Sequence, residues 1–200
     1  VCYYDKVEPN PKEYNVIDAK NTYLAEKADF LISIGGGSSH DCTKGIGIAV
    51  ANGLEKGDDL QQFAGVELLD KPILPFIAVN TTAGTGSECT PFTIISDANT
   101  GMKWPLIGYE MMPEMSVIDA DNMMGLPPKA TQASGYDVLT HAVEAYVSLF
   151  ATDYTNGFAK TATKMVFDYL PRAYRSAFAD AKPDPEARQK MADASAIAGI

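Results

Sequence analysis

The sequence predicts an α/β protein in two parts, a parallel-sheet N-terminal domain over residues 1–126 followed by an all-helical C-terminal domain over residues 127–200. Three observations point there. Residues 29–45, DFLISIGGGSSHDCTKG, have the texture of a strand, a glycine turn and a helix, which is half of a βαβ unit. A second short apolar run at 75–79 delivers a segment of hydroxyls and glycines in the same way. After Leu126-Pro127-Pro128 the strand-like runs stop and helical spacing takes over, which puts a domain boundary near Pro127.

In chain order, residues 1–4 are apolar and expected to be a strand. That strand enters without a turn or cap, and the last helix is still running at Gly199-Ile200. The first domain is therefore expected to be incomplete at its start and the second at its end. Glu8-Pro9-Asn10-Pro11 is a turn, because each proline fixes its own φ and biases its predecessor away from the helical region. Residues 12–27 read as a helix with Val16, Ala19, Tyr23 and Leu24 as its apolar stripe. Phe30, Leu31, Ile32 and Ile34 suit a strand buried on both faces. A helix from Ser39 to about Val50 should end at Asn52-Gly53, where glycine supplies a left-handed cap. Residues 60–65 form a short polar element of undetermined type, and 75–79 a parallel strand. Residues 93–97 and 103–107 flank Asn99-Thr100-Gly101 as the arms of a hairpin, and 115–118 is a further apolar run. Helices follow at 130–149, 153–170 and 185–200. Pro171 should break the second, while Asp184 with Arg188 and Glu186 with Lys190 should lace an exposed face of the third.

At 46% hydrophobic, 200 residues can bury a substantial core. The net charge of -10, with no run of Lys and Arg, argues against a nucleic-acid groove and suits a sugar or alcohol better than a phosphorylated substrate. Cys2, Cys42 and Cys89 are an odd number without CxxC spacing, which fits a reducing compartment. No apolar stretch approaches the roughly 20 residues that span a bilayer, and the first residues are not a secretion signal, so a cytoplasmic location without membrane contact is expected.

Three motifs carry chemistry. Gly35, Gly36 and Gly37 remove the Cβ at successive positions before a helix whose N-terminal N–H groups suit a phosphate. The pattern is not GxGxxG, since His40 stands where the last glycine belongs, and a tight turn without a ligand remains the alternative. The segment 80–88, NTTAGTGSE, places hydroxyls at the carboxyl end of a core strand, where open α/β sheets bind ligands. The alternative there is a solvated turn whose Thr or Ser caps a short helix. Asp137 and His141 are four apart, so one helical turn stacks them on the same side. Together they can hold one divalent metal, with Glu144 as a supporting partner or simply solvated; a structural Asp–His hydrogen bond is the other reading. Tyr136, Val138, Leu139, Ala142 and Val143 make this stretch mostly apolar and hence expected to be buried. Zinc or iron takes roughly four to six donors, and the cysteines have no ligand spacing, so later residues or water would complete a shell.

GGGSSHDCTKG (35–45), NTTAGTGSE (80–88) and GYDVLTHAVEAY (135–146), in that order and spacing, resemble the iron-dependent, group III alcohol dehydrogenases. That family includes propanediol, lactaldehyde-reducing and methanol dehydrogenases, and the resemblance covers essentially all of the chain. It implies a Rossmann-like N-terminal domain that binds NAD, a helical C-terminal domain that holds the metal, and an active site in the cleft between them. By the same resemblance Gly36, Gly37 and Ser38 lie against the pyrophosphate, and Thr81, Thr82 and Thr90 line the cofactor site. Asn10 and Lys103 match positions near the nucleotide. Asp137 and His141 are the first two metal ligands, with two histidines to come later than Ile200. The metal implied is Fe2+, with Zn2+ or Mn2+ as alternatives. The activity implied is reversible oxidation of a primary alcohol or diol to the aldehyde by a homo-oligomer, with no side chain nominated as catalytic in itself. His40 either faces the nicotinamide or is satisfied by solvent or a carbonyl in the first helical turn, and Trp104 is a packing residue. Residues 109–200 are also similar to the alcohol dehydrogenase half of bifunctional aldehyde-alcohol dehydrogenases. A polyol dehydrogenase or dehydroquinate-synthase-like enzyme, and a non-catalytic α/β binding module, complete the alternatives.

Overall fold

A computed structural model describes residues 1–200, the side chain of Asp58 excepted. The chain divides into two units, one formed by residues 1–79 with 90–116 and the other by 80–89 with 117–200.

In the first unit, helix α1 (Glu13–Ala25) starts where the Lys12 N–H donates to Asn15 Oδ1 at 2.9 Å. It buries Val16, Ala19 and Tyr23, but Leu24 is half exposed, because it lies a full 100° around the helix from Tyr23. Strand β1 (Leu31–Gly35) runs into helix α2 (Gly37–Ala51). The helix begins two residues earlier than its pattern suggested, since Gly36 takes the N-cap position, and it ends at Asn52-Gly53 with Gly53 at φ 64°. Strands β3 (Phe76–Asn80) and β6 (Met115–Val117) complete a parallel sheet in the order β1-β3-β6.

The expectation of a β1 buried on both faces does not hold. Side chains alternate along a strand, and α2 packs on the face of Ser33, leaving Ile32 and Ile34 on the other face at 53% and 70% exposed. Residues 1–4 are irregular rather than a strand; Tyr4 packs instead against the core as part of a loop. A second sheet has the order β2-β5-β4, from β2 (Gly65–Val66), β4 (Phe92–Ser96) and β5 (Lys103–Ile107). The β4–β5 pair is the expected hairpin, antiparallel with Ser96 opposite Lys103, and β2 joins β5 in parallel. The undetermined element before β2 is a 3-10 helix, Gly57–Phe63. Buried Glu13 ties α1 to the hairpin turn by accepting from the Ala98 N–H at 2.9 Å, and Trp104 packs in the core with Val16, Ile48, Ile95 and Leu106.

The second unit opens with the loop 80–89 and a 3-10 turn at Ala120–Met123, followed by α3 (Pro128–Val147), α4 (Asp153–Arg175) and α5 (Pro185–Gly199). Pro128 occupies the first turn of α3, where its missing N–H costs nothing. Thr152 and Thr155 cap α4 reciprocally, at 2.9 and 3.2 Å. Pro171 does not end α4, which runs on to Arg175. Beyond the proline Ala173 is completely buried and Arg172 bridges to Asp184 and Glu186, contacts that hold the last turn in place.

That last contact overturns both pairs expected on α5. Arg172 presents its planar fork to Asp184, with Nε 2.9 Å from Oδ2 and Nη2 3.0 Å from Oδ1, and also reaches Glu186 at 2.6 Å. Arg188 lies on the buried side of α5, and Lys190 turns to Asp193 at 3.5 Å. No helix among the described residues is long and apolar enough to cross a membrane.

Asp184 also caps α5, accepting from the Ala187 N–H at 3.0 Å. Its hydrogen bonds from Arg172, then from Ala187, hold its carboxyl below the usual carboxylate range. A depressed folded-state pKa stabilises the fold above the unfolded value of about 3.9 and loses that contribution as pH falls through the folded one. Asp184→Ala should therefore cost about 1 kcal/mol at pH 7. In urea unfolding the gap between the two proteins should close as pH drops below about 4.

Candidate functional site

The first unit places an uncapped helix N-terminus, a candidate anion site, at the carboxyl end of β1. Gly35 has φ 156°, and a Cβ there would strike the Ser39 side chain. The Gly36 carbonyl accepts from Ser39 N at 2.9 Å and His40 N at 3.2 Å, so Gly37 and Ser38 supply the leading amides of a 15-residue helix that has no side-chain cap. An uncapped N-terminus reached over glycines fits a diphosphate. Ser38 Oγ accepts from the Asn10 N–H at 3.3 Å, with Asn10 itself at φ 54°, so these two candidates meet. Lys103 is exposed at the start of β5; its register partner Ser96 donates to the Pro11 carbonyl at 2.8 Å, which sets Lys103 beside the same segment.

Thr90 is buried, and Lys44 of α2 explains how it is held. The Lys44 ammonium reaches the Thr90 carbonyl at 2.8 Å, its hydroxyl at 3.4 Å and the Phe92 carbonyl at 2.7 Å. The sequence reading missed Lys44, although a lysine among Cys42, Thr43, Gly45 and Ile46 on a helix with no polar face was the available signal. His40 is fully buried rather than satisfied by solvent in a first turn: its Nδ1 lies 2.8 Å from the Ser33 hydroxyl of β1. The neighbouring Cys42 thiol is pushed up to about 12 by burial and then by Asp41, so it stays protonated at neutral pH.

In the second unit the hydroxyl loop is laced by its own first residue. Asn80 Nδ2 donates to the Thr82 carbonyl and to Glu88 Oε1, both at 2.7 Å, while Oδ1 accepts from Thr82 N at 3.1 Å. Thr85 Oγ1 accepts from Ser87 N at 3.2 Å, and Thr81 and Thr82 stay half-buried. The loop's glycines answer to its neighbours. A Cβ on Gly84 would lie 2.8 Å from Ser134 Cβ on α3, and one on Gly86, at φ 63°, would lie 2.8 Å from the Ser195 carbonyl on α5.

Ser134 begins a stripe on α3 that continues through Asp137 to His141, at i, i+3 and i+7. Asp137 Oδ1 and His141 Nε2 are 3.7 Å apart, too far for a hydrogen bond, with side chains 41% and 34% exposed. Two bonds of about 2.1 Å to a shared cation would span that distance, so the pair fits a divalent metal of borderline or hard character. Among the described residues no group of three or more His, Cys, Asp or Glu converges. The expected burial of this stretch holds only for Val138 and Ala142. Tyr136 and Val143 are about half exposed and Glu144 is exposed, because α3 turns a single face to α4 and α5.

The family model described as Iron-containing alcohol dehydrogenase matches residues 1–120, and that described as Fe-containing alcohol dehydrogenase family, C-terminal, matches residues 131–200. The chain belongs to the iron-containing alcohol dehydrogenase family. Alcohol dehydrogenase 4 of Schizosaccharomyces pombe is 45% identical over 200 residues, all of this chain and 45% of that protein. NAD-dependent methanol dehydrogenase of Bacillus methanolicus is 40% identical over all of this chain and 50% of its own length. The crystal structure of 1,3-propanediol oxidoreductase superposes with a TM-score of 0.89 at 41% identity, covering 99% of this chain and 50% of that one. The chain thus spans about half the length of the curated relatives it matches.

For this member of the iron-containing alcohol dehydrogenases, the loop's close packing makes a sharp prediction. Gly53 and Gly86 share a positive φ, but a Cβ on Gly53 meets nothing within 4 Å. Gly53→Ala should cost about 1 kcal/mol, whereas Gly86→Ala should cost on the order of 3 kcal/mol, as measured by chemical unfolding of each variant.

Proposed function

We propose that the whole protein is an NAD-dependent alcohol dehydrogenase that interconverts a small primary alcohol or diol with its aldehyde. The observation that carries this reading is the Asp137–His141 pair, set 3.7 Å apart on the stripe of α3 that also meets the hydroxyl loop. The NAD-dependent methanol dehydrogenase and the 1,3-propanediol oxidoreductase among its relatives support it.

Gly36, Gly37 and Ser38 would hold the pyrophosphate through the leading amides of α2, and Asn10 keeps the Ser38 hydroxyl in place. Thr81, Thr82 and Thr90 would line the rest of the cofactor site, with Lys103 near the nucleotide. Residues 1–126 would serve the nucleotide and 127–200 the metal. Asp137 and His141 would hold a divalent cation, Fe2+ with Zn2+ or Mn2+ as alternatives, the carboxylate offsetting part of its charge. When bound, the cation supplies Lewis acidity toward the alcohol oxygen and NAD accepts the hydride. Two protein donors leave further positions for other side chains of the whole protein, water and the substrate oxygen. An overall charge of -10 without clustered cations favours an uncharged substrate over a phosphorylated one. A cytoplasmic homo-oligomer completes the proposal.

Two variants of the full-length protein test its halves separately. Asp137→Ala should lose bound metal, read by elemental analysis, together with NAD reduction on short alcohols; retention of metal and turnover would remove Asp137 from the site. Ser38→Glu adds a carboxylate that a helix N-terminus tolerates but a pyrophosphate does not. It should weaken NAD binding by about tenfold while metal content stays unchanged.

A further inference from the structure

We infer that Arg188 is a positioning residue for the metal-binding turn of α3, an assignment that rests on the proposed metal site at Asp137 and His141. Arg188 is 3% exposed, on the inward side of α5. Its Nη1 donates to Thr131 Oγ1 at 2.7 Å and its Nη2 to the Leu126 carbonyl at 3.1 Å. Thr131 Oγ1 itself donates to that same carbonyl at 3.2 Å, so guanidinium, hydroxyl and carbonyl close a small ring across the entry to α3. Arg188 Nε is buried without a hydrogen-bond partner, beside a cavity of about 10 Å³ whose walls include Ala83 of the hydroxyl loop and Ser134 of α3.

This is a costly way to fill space. No carboxylate among the described residues pairs with Arg188, and burial alone draws its pKa below the usual guanidinium value. The neighbours along the buried side of α5 are Ala187, Met191, Ala192, Ala194 and Ser195, so packing by itself would be served by another neutral side chain. A planar fork does what a neutral side chain cannot: it directs two bonds at two acceptors five residues apart, one before the helix and one in its first turns. That fixes both the axial position and the rotation of α3 relative to α5. Asp137 lies about 9 Å further along the helix axis than Thr131, and a rigid helix carries any rotation at its start to Asp137 and His141 alike. Ser134, between Thr131 and Asp137, bears on Gly84, so the same clamp sets the ligand stripe against the hydroxyl loop.

The test uses the full-length protein with Co2+ as the probe ion, comparing wild type, Arg188→Lys, Arg188→Met and Thr131→Val. Thr131→Val keeps the shape but removes the hydroxyl acceptor, and so leaves a testable protein should the Arg188 variants not fold. Positioning predicts that the Co2+ dissociation constant rises by about tenfold in the Arg188 variants, and by less in Thr131→Val. It also predicts a changed visible spectrum of the bound ion and a smaller gain in melting temperature on adding Co2+. Arg188→Lys should not restore the wild-type values, because an ammonium is not a fork. Equal losses of melting temperature with and without Co2+, at unchanged affinity and spectrum, would overturn the assignment. If wild type and Asp137→Ala bind Co2+ alike, the metal site itself fails, a result distinct from an Arg188 that does not matter.

Discussion

The constraint on which the second unit depends is the close approach of α3 and α5 to the loop backbone at Gly84 and Gly86. Neither position has room for a Cβ, one because α3 lies against it and the other because the α5 carbonyl at Ser195 does. A segment that follows a sheet strand in the chain is thereby packed as part of a helical unit. Its hydroxyls are then presented from the same packed body as Asp137 and His141. Asn80 and Glu88 satisfy the loop from within, so its shape does not wait on a ligand. Preorganisation of this kind spares the ordering entropy that a flexible loop loses on binding.

The first unit solves the matching problem with buried charge. A lysine ammonium inside a protein is tolerable only when its donors are used, and Lys44 finds two carbonyls and a hydroxyl at the start of β4. Because Lys44 sits two turns beyond Gly37 on the same helix, the bond that holds Thr90 also steadies the helix whose N-terminus is the candidate anion site. Glu13 does the equivalent for the hairpin turn. In both units the groups that shape the candidate site are buried polar residues, and Lys44, Asn80 and Glu88 lie inside the quoted motifs without having been picked out there as site residues.

Membership of the iron-containing alcohol dehydrogenases and the architecture of sheet followed by helices agree with one another. The groups singled out in this chain are candidates for binding rather than for proton transfer: the leading amides of α2 in the first unit, and the loop hydroxyls and the Asp137–His141 pair in the second.

Much was legible from local spacing. The strand, glycine turn and helix at 31–51, the β4–β5 hairpin and the four-residue step from Asp137 to His141 depend on neighbours within one turn or one hairpin, and periodicity alone determines them. Tertiary structure decided wherever two elements competed for one group. Asp184 has Arg188 one turn away, yet Arg172 of α4 approaches it with both nitrogens of a fork, and Arg188 is turned inward to α3. Pro171 breaks an isolated helix, but here α4 runs on to Arg175, with Ala173 buried and Arg172 bridged to Asp184. Sequence spacing states which side chains share a face; which face is covered, and by whose polar group, is settled only when the elements pack.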